Sequence, residues 1–197
     1  MTGTGKTERT VLLCGGSGLI GRRLQTLLTE RGYTVLLLSR SKSDRPNHFY
    51  WDPSQGFLNI DALNADHIVN LAGAGVADKK WSAKRKAEII NSRVDSADIL
   101  YKKLTERKRY PKSYISASAI GIYGDRGDEV LTEDSARGQG FLAETTARWE
   151  EAADRFMRLD VRTVKLRIGV VLANGGGALE KLVMPIKLMA GAPRGPG

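Results

Sequence analysis

Cysteine, histidine and long apolar runs are all scarce in this chain. Its one cysteine among 197 residues, Cys14, has no partner for an internal disulfide, which suits a reducing compartment. The two histidines, His48 and His67, lie far apart and without ligand spacing, so no metal site is expected. A membrane helix needs about 20 apolar residues, and no stretch comes near that. The polar start from Met1 to Arg9 and the short run Val11–Cys14 do not make a signal peptide. The expectation is a cytoplasmic protein with no membrane partner. Its length suits one domain, drawn over residues 10–197 after a mobile tail at residues 1–9.

Acidic residues are also outnumbered: 22 Asp and Glu face 31 Lys and Arg, for a formal charge of +9. Such an excess raises nucleic acid as a partner. The densest clusters, Lys79–Lys86 and Arg107–Arg109, read instead as a solvated helix face and a helix C-terminus, where the dipole favours cations. No nucleic-acid module accompanies them, so none is expected as a partner.

What the chain does have is regular alternation of strand and helix. Thr10–Cys14, Val35–Leu38, His48–Trp51, Ile68–Ala72, Ser113–Ser116 and Thr163–Ile168 are short apolar runs bounded by turn residues, the mark of buried strands. Between them, apolar residues recur at helical spacing. The longest helix is expected over Ala83–Arg107, with Ala87, Ile90, Val94, Ala97, Tyr101 and Leu104 on its buried face. A helix carrying Trp149, Ala152, Ala153 and Phe156 and a last one with Leu179, Leu182, Val183 and Ile186 follow. The order predicts an α/β fold with a doubly wound parallel sheet, of Rossmann type.

The loop after the first strand carries the chemistry. Gly15-Gly16-Ser17-Gly18-Leu19-Ile20-Gly21 contains a G-x-G-x-x-G directly between a strand and a helix, the context in which this pattern binds a dinucleotide. The first glycines permit a tight turn, Gly18 lets a pyrophosphate approach the backbone, and Gly21 lets helix and strand pack closely. Amides at the helix start can then hold the phosphates. Gly3-Thr-Gly-Lys-Thr7 resembles the end of a Walker A loop, but no strand precedes it and it is set aside as tail. About 20 residues beyond the glycines, NAD-binding folds place an acid that holds the ribose hydroxyls. This chain has Ser39-Arg40-Ser41-Lys42 there. A guanidinium without a carboxylate suits the 2′-phosphate of NADP, the cofactor expected.

The segments Gly15–Arg22, Trp51-Asp-Pro53, Asn70–Gly75, Asn91–Asp95, Ser116–Ala119, Tyr123–Glu129 and Gly169–Leu172 together resemble the short-chain dehydrogenase/reductase superfamily. The likeness is to its extended, sugar-nucleotide-epimerase-like form, and within that to the atypical branch called epimerase family proteins. It implies that Gly15, Gly18 and Gly21 hold the pyrophosphate, Ser39 and Arg40 the 2′-phosphate, and Leu71, Ala72 and Gly73 the adenine and ribose side. Glu88 and Arg93 would reach the cofactor's edge, or else form an exposed helical pair. Val171 would border the nicotinamide. Ser118 stands where relatives carry a hydroxyl that orients the substrate, with Ser116 an equal candidate by spacing.

Two departures accompany the resemblance. Relatives that move hydride carry a Tyr-x-x-x-Lys pair, whereas this chain has Phe141 and Thr145. Phenylalanine has no proton to give, which leaves Tyr123, otherwise a loop-packing aromatic, or Glu144 as donor. Extended relatives also continue into a further strand and a substrate region, which the chain is expected to lack. Strand Thr163–Ile168 would then be an open edge prone to self-association. The expected function is an NADP(H)-dependent oxidoreductase or epimerase-like enzyme of a small carbonyl, hydroxyl or nucleotide-sugar substrate. The alternative is a non-catalytic NADP(H)-binding module that senses redox state.

Overall fold

The protein is described here by a computed structural model covering residues 9–173 and 176–187. Its main sheet is built from β1 (Thr10–Cys14), β2 (Thr34–Ser39), β3 (His48–Asp52), β4 (Phe57–Leu58), β5 (His67–Asn70), β6 (Ser113–Ala119) and β7 (Arg162–Ile168). The spatial order is β4-β3-β2-β1-β5-β6-β7. Every pairing is parallel except the short β3–β4 ladder. The chain therefore winds outward from β1 in one direction, then resumes at β5 on the other side of β1. That reversal makes a crevice at the carboxyl ends of β1 and β5.

The central strands β1, β2 and β5 are apolar because both of their faces are covered. Leu12, Cys14, Leu36, Leu38 and Ile68 face a core completed by Ala97, Leu100 and Leu104 of helix α2 (Ala83–Arg107) and by Ala152 and Ala153 of α3 (Phe141–Asp154). The alternate residues Leu13 and Leu37 point to the opposite side, where α1 (Leu19–Glu30) packs on β1 and β2. This is the doubly wound arrangement expected of alternating strands and helices.

Helix α2 starts and ends as predicted, but its buried stripe is displaced. Arg85, Ile89, Ser96, Ala97, Leu100 and Leu104 are buried, while Ala87 is exposed. These steps are irregular, and of the expected face only Ala97 and Leu104 are fully buried, where the helix lies on the sheet. Most of the basic clusters is exposed, as expected: Lys79, Lys80, Lys84, Lys108 and Arg109. Arg85 is buried, and Arg107 and Arg109 both donate to the side-chain carbonyl of Asn64, at 2.9 and 3.1 Å. These cations clamp a loop.

Several boundaries move for local reasons. β5 stops at Asn70 instead of Ala72, because the Asn70 side-chain oxygen accepts from the Ala72 amide at 3.1 Å and turns the chain out of the sheet. β6 runs three residues past Ser116, along β7. Phe156 lies beyond α3 in a short 3₁₀ turn and stacks on Tyr114 with ring centroids 3.6 Å apart. β4 and the hairpin of β8 (Leu172–Ala173) and β9 (Gly176–Gly177) have two residues per strand, too few for a periodic signal.

β7 is the last strand of the sheet, and among the described residues no strand covers its outer side. Helix α4 (Ala178–Lys187) contains all four apolar positions expected of the last helix. The side chains of Leu182 and Ile186 fall outside the described residues. So do the expected tail as far as residue 8, with its Walker A look-alike, and the stretch 188–197.

Asn70 connects the layers. Fully buried, it donates at 3.0 Å to both Ser96 on α2 and Tyr114 on β6, in addition to holding the Ala72 amide. Asn70→Ala should destabilise the fold by about 2–4 kcal/mol, because it leaves buried polar partners unpaired. Urea unfolding of the variant measures this, and a loss below about 0.5 kcal/mol would contradict the network's role.

Candidate functional site: a cleft at the strand-order reversal

The glycine loop owes its composition to close backbone approach. Gly15 has φ +80°, and a Cβ there would lie 2.8 Å from the Leu71 carbonyl carbon and oxygen. A Cβ on Gly21 would come within 2.3 Å of the Gly15 oxygen. Gly18 is different, since a Cβ on it would meet only the Gly15 oxygen, at 3.4 Å. Packing thus requires the outer glycines, whereas Gly18 leaves open space before the start of α1. That helix has no side-chain cap, and its first-turn amides have no partner within the helix. A bare, uncapped helix start with a missing side chain above it fits a pyrophosphate.

The cleft in front of this loop has a volume of about 820 Å³. Gly15 to Gly18, Ser39, Arg40, Leu71 to Gly73 and Glu88 all line it. Leu19, Ile20, Gly21, Arg93 and Val171 do not. Gly21 is packed against the loop from behind, and Val171 follows β7, with 36% of its surface exposed. The cleft also recruits Arg22 and Gln25 from α1, Asp52 from the end of β3, and Asn91 and Asp95 from α2. Sequence reasoning missed these because their approach depends on helix rotation and on the β3–β4 turn. A spacing of one helical turn between Gly18 and Arg22, and again between Glu88 and Asn91, was the available signal.

Charge in the cleft is mixed. Asp52 is held below the usual carboxylate range, chiefly by the Ser54 hydroxyl, with Arg40 contributing; Glu88 is lowered chiefly by Arg85, 2.7 Å away, again with help from Arg40. Burial instead pushes the Asp95 carboxyl up. Arg93 serves the loop from below. It donates to the Ala74 carbonyl at 3.0 Å, lies over the Trp149 ring at 4.9 Å, and is brought down to about 10 by burial and by Arg85. The expected Glu88–Arg93 pair is therefore split between the cleft wall and the loop's support.

The hydroxyl candidates lie elsewhere. Ser118 is buried and donates to Glu150 Oε1 at 2.5 Å. Arg167 grips the same carboxylate with two nitrogens, at 2.9 and 3.0 Å, and reaches the Tyr123 hydroxyl at 2.8 Å. Ser118 and Tyr123 are thus joined in a network between β6, β7 and α3, and neither lines the cleft. Burial alone would raise the Glu150 carboxyl, but the Arg167 and Ser118 hydrogen bonds outweigh it and hold it low. Glu150 and Arg167 were not anticipated, since they meet only through β7 pairing. Ser116 donates to the Ala117 carbonyl at 2.9 Å, and Glu144 pairs with Arg148 at 2.6 Å.

Phe141 opens α3 with its ring edge-on to Trp81, centroids 5.0 Å apart, and Lys86 Nζ 5.2 Å from its centre. Thr145 is buried, and its hydroxyl donates to the Phe141 carbonyl at 2.7 Å. Cys14 is fully buried and its thiol is pushed up by that burial, so it packs and does not react. Among the described residues no group of three His, Cys, Asp or Glu could hold a metal ion.

The model of the NAD dependent epimerase/dehydratase family matches residues 11–146. The chain belongs to this family. Epimerase family protein YfhF of Bacillus subtilis (strain 168) is 33% identical over 192 residues, covering 95% of this chain and 63% of the relative. Human epimerase family protein SDR39U1 is 34% identical over 192 residues, with the same coverages. The crystal structure of human SDR39U1 (isoform 2) with NADPH superposes with a TM-score of 0.79 at 32% identity, over 93% of this chain and 61% of that one. UDP-glucuronic acid 4-epimerase from Bacillus cereus in complex with NAD shares the fold, with a TM-score of 0.72 at 17% identity over 91% and 63% of the two chains. The chain thus spans under two thirds of the length of these relatives.

No helix among the described residues is long and apolar enough to cross a membrane.

Two outcomes are expected of the site. Gly18→Val should abolish dinucleotide binding while circular dichroism stays native, because the branched side chain fills open space without striking the fold; undiminished binding by calorimetry would reduce the loop to a turn. Glu150→Gln should lower stability by about 2–3 kcal/mol at neutral pH. Its folded carboxyl is held below the unfolded value of about 4.3, so this stability is present above that pH and lost as pH falls through the folded value. Denaturant melts at pH 7 and pH 3.5 should show the difference between the two proteins shrinking in acid.

Proposed function

We propose that the chain binds NADP(H) in this cleft and forms the cofactor-binding part of an oxidoreductase or epimerase-like enzyme. The substrate would be a small carbonyl, hydroxyl or nucleotide-sugar compound. The observation that carries the reading is the end of β2, where Ser39 and Arg40 line the cleft and no acid stands among Ser39–Lys42. The NADPH named with the human SDR39U1 structure supports it.

The fit rests on this chain's own residues. The uncapped start of α1 and the space before Gly18 would take the pyrophosphate. Arg40 and Ser39 would take the 2′-phosphate, and Leu71 to Gly73 the adenosine wall. When bound, the cofactor supplies or accepts a hydride. Leu71 and Ala72 are kept against Gly15 by its missing Cβ, and Arg93 supports Ala74, so the wall is held in place before anything binds.

A second reading, a non-catalytic NADP(H)-binding module, is favoured by one specific observation. The two candidate hydroxyls, Ser118 and Tyr123, are engaged by Glu150 and Arg167, while Phe141 and Thr145 carry neither phenol nor ammonium. NADPH oxidation measured against small ketones and nucleotide-sugars, in a relative of full family length, separates the readings. Turnover of a substrate at enzymatic rate would support catalysis, and binding without turnover would support the module.

Arg40→Ala should weaken NADPH binding about tenfold or more, since charge-assisted hydrogen bonds contribute roughly 1.5–3 kcal/mol each. NADH binding should barely change. Equal affinity of the unmutated chain for the two cofactors would overturn this assignment.

A further inference from the structure

We infer that Arg22 is a second anchor for the 2′-phosphate, gripping it together with Arg40, and that it shares in setting the preference for NADP(H). This inference rests on the NADP(H) reading of the cleft. A phosphomonoester carries about −1.5 to −2 charges at neutral pH, more than one guanidinium neutralises. Three carboxylates, Asp52, Glu88 and Asp95, also line the cleft; Glu88 is paired with Arg85 at 2.7 Å, and Arg22 beside Arg40 balances the other two.

Among the described residues, the lysine or arginine side chains that line the cleft are Arg40 and Arg22. Lys42, a further cation after β2, lies elsewhere: its Nζ is over the Tyr50 ring, 5.7 Å from the centre. Arg22 occupies the first turn of α1, its amide bonded to the Gly18 carbonyl at 2.9 Å. Helical side chains lean toward the N-terminus, and here the guanidinium folds back to donate to the Ser17 carbonyl at 2.7 Å. That contact holds it at the tip of the glycine loop. The parallel register pairs Cys14 with Leu38, which sets the loop after β1 beside Ser39 and Arg40 after β2. The two guanidinium groups therefore come from adjacent strand ends, one carried by a helix and one by a loop. Their forked geometry suits phosphate oxygens better than a lysine would.

Arg22→Gln tests the inference, because glutamine keeps an N–H for Ser17 and removes the charge. Calorimetric titration of the whole chain with NADPH, NADH, 2′,5′-ADP and 5′-AMP supplies the readout, beside Arg40→Ala and the double variant. NADPH and 2′,5′-ADP should each bind Arg22→Gln about tenfold more weakly, as the loss of one charge-assisted contact predicts. NADH and 5′-AMP should bind unchanged, which also shows that the site is folded. In the double variant the preference for NADPH should vanish. Equal losses for NADPH and NADH would place Arg22 on the pyrophosphate and overturn the inference. No loss in Arg22→Gln beside a selective loss in Arg40→Ala would overturn it while leaving the NADP(H) reading intact. An unmutated chain without preference for NADPH would remove both.

Discussion

The site depends on the contact between Gly15 and the chain leaving β5. No side chain can stand where the Gly15 Cβ would be, because the Leu71 carbonyl is 2.8 Å away. The Gly21 position, 2.3 Å from the Gly15 oxygen by the same measure, brings α1 down onto the same point. One missing methyl thus joins β1 to the wall after β5, and another joins β1 to α1. Where these three segments meet, the strand order reverses, the helix start is uncapped and the cleft opens. A bulkier residue at either position would part the walls before any ligand arrived.

Around this point the structure uses two kinds of polar side chain. Asn70, Arg93 and Arg85 face inward and support the loop after β5 by bonding Ala72, Ala74 and Gly75. Arg40, Glu88 and Asp95 face the cleft. Burial, with Arg85 nearby, lowers Arg93 to about 10, and desolvating its charge is costly. Carbonyl acceptors and the Trp149 ring offset part of that cost. A charged residue on a helix can therefore be a support for a binding wall without touching what binds there.

The network of Ser118, Tyr123, Glu150 and Arg167 ties β6, β7 and α3 together. Every member is polar, yet Ser118 is 3% exposed and Glu150 6%. Buried charges persist when paired and hydrogen-bonded, as these are. Polar residues at strand ends thus serve cohesion on this side of the sheet and the cleft on the other. Residue type does not distinguish the two uses; the direction of the side chain does.

The sequence by itself determined the order of strands and helices, the length of α2, the glycine loop and the absence of an acid among Ser39–Lys42. These are local properties: apolar period, a missing Cβ and the residue next to a strand end act within a few residues. Only the tertiary structure decided which face of α2 is buried, that Arg85 and Arg93 turn inward, and that Arg22 reaches the cleft. It also decided that Ser118 and Tyr123 are engaged by Glu150 and Arg167, which lie 32 and 44 residues further along the chain from them. Strand register and helix rotation set those contacts, and neither leaves a mark in the spacing of residues along the chain.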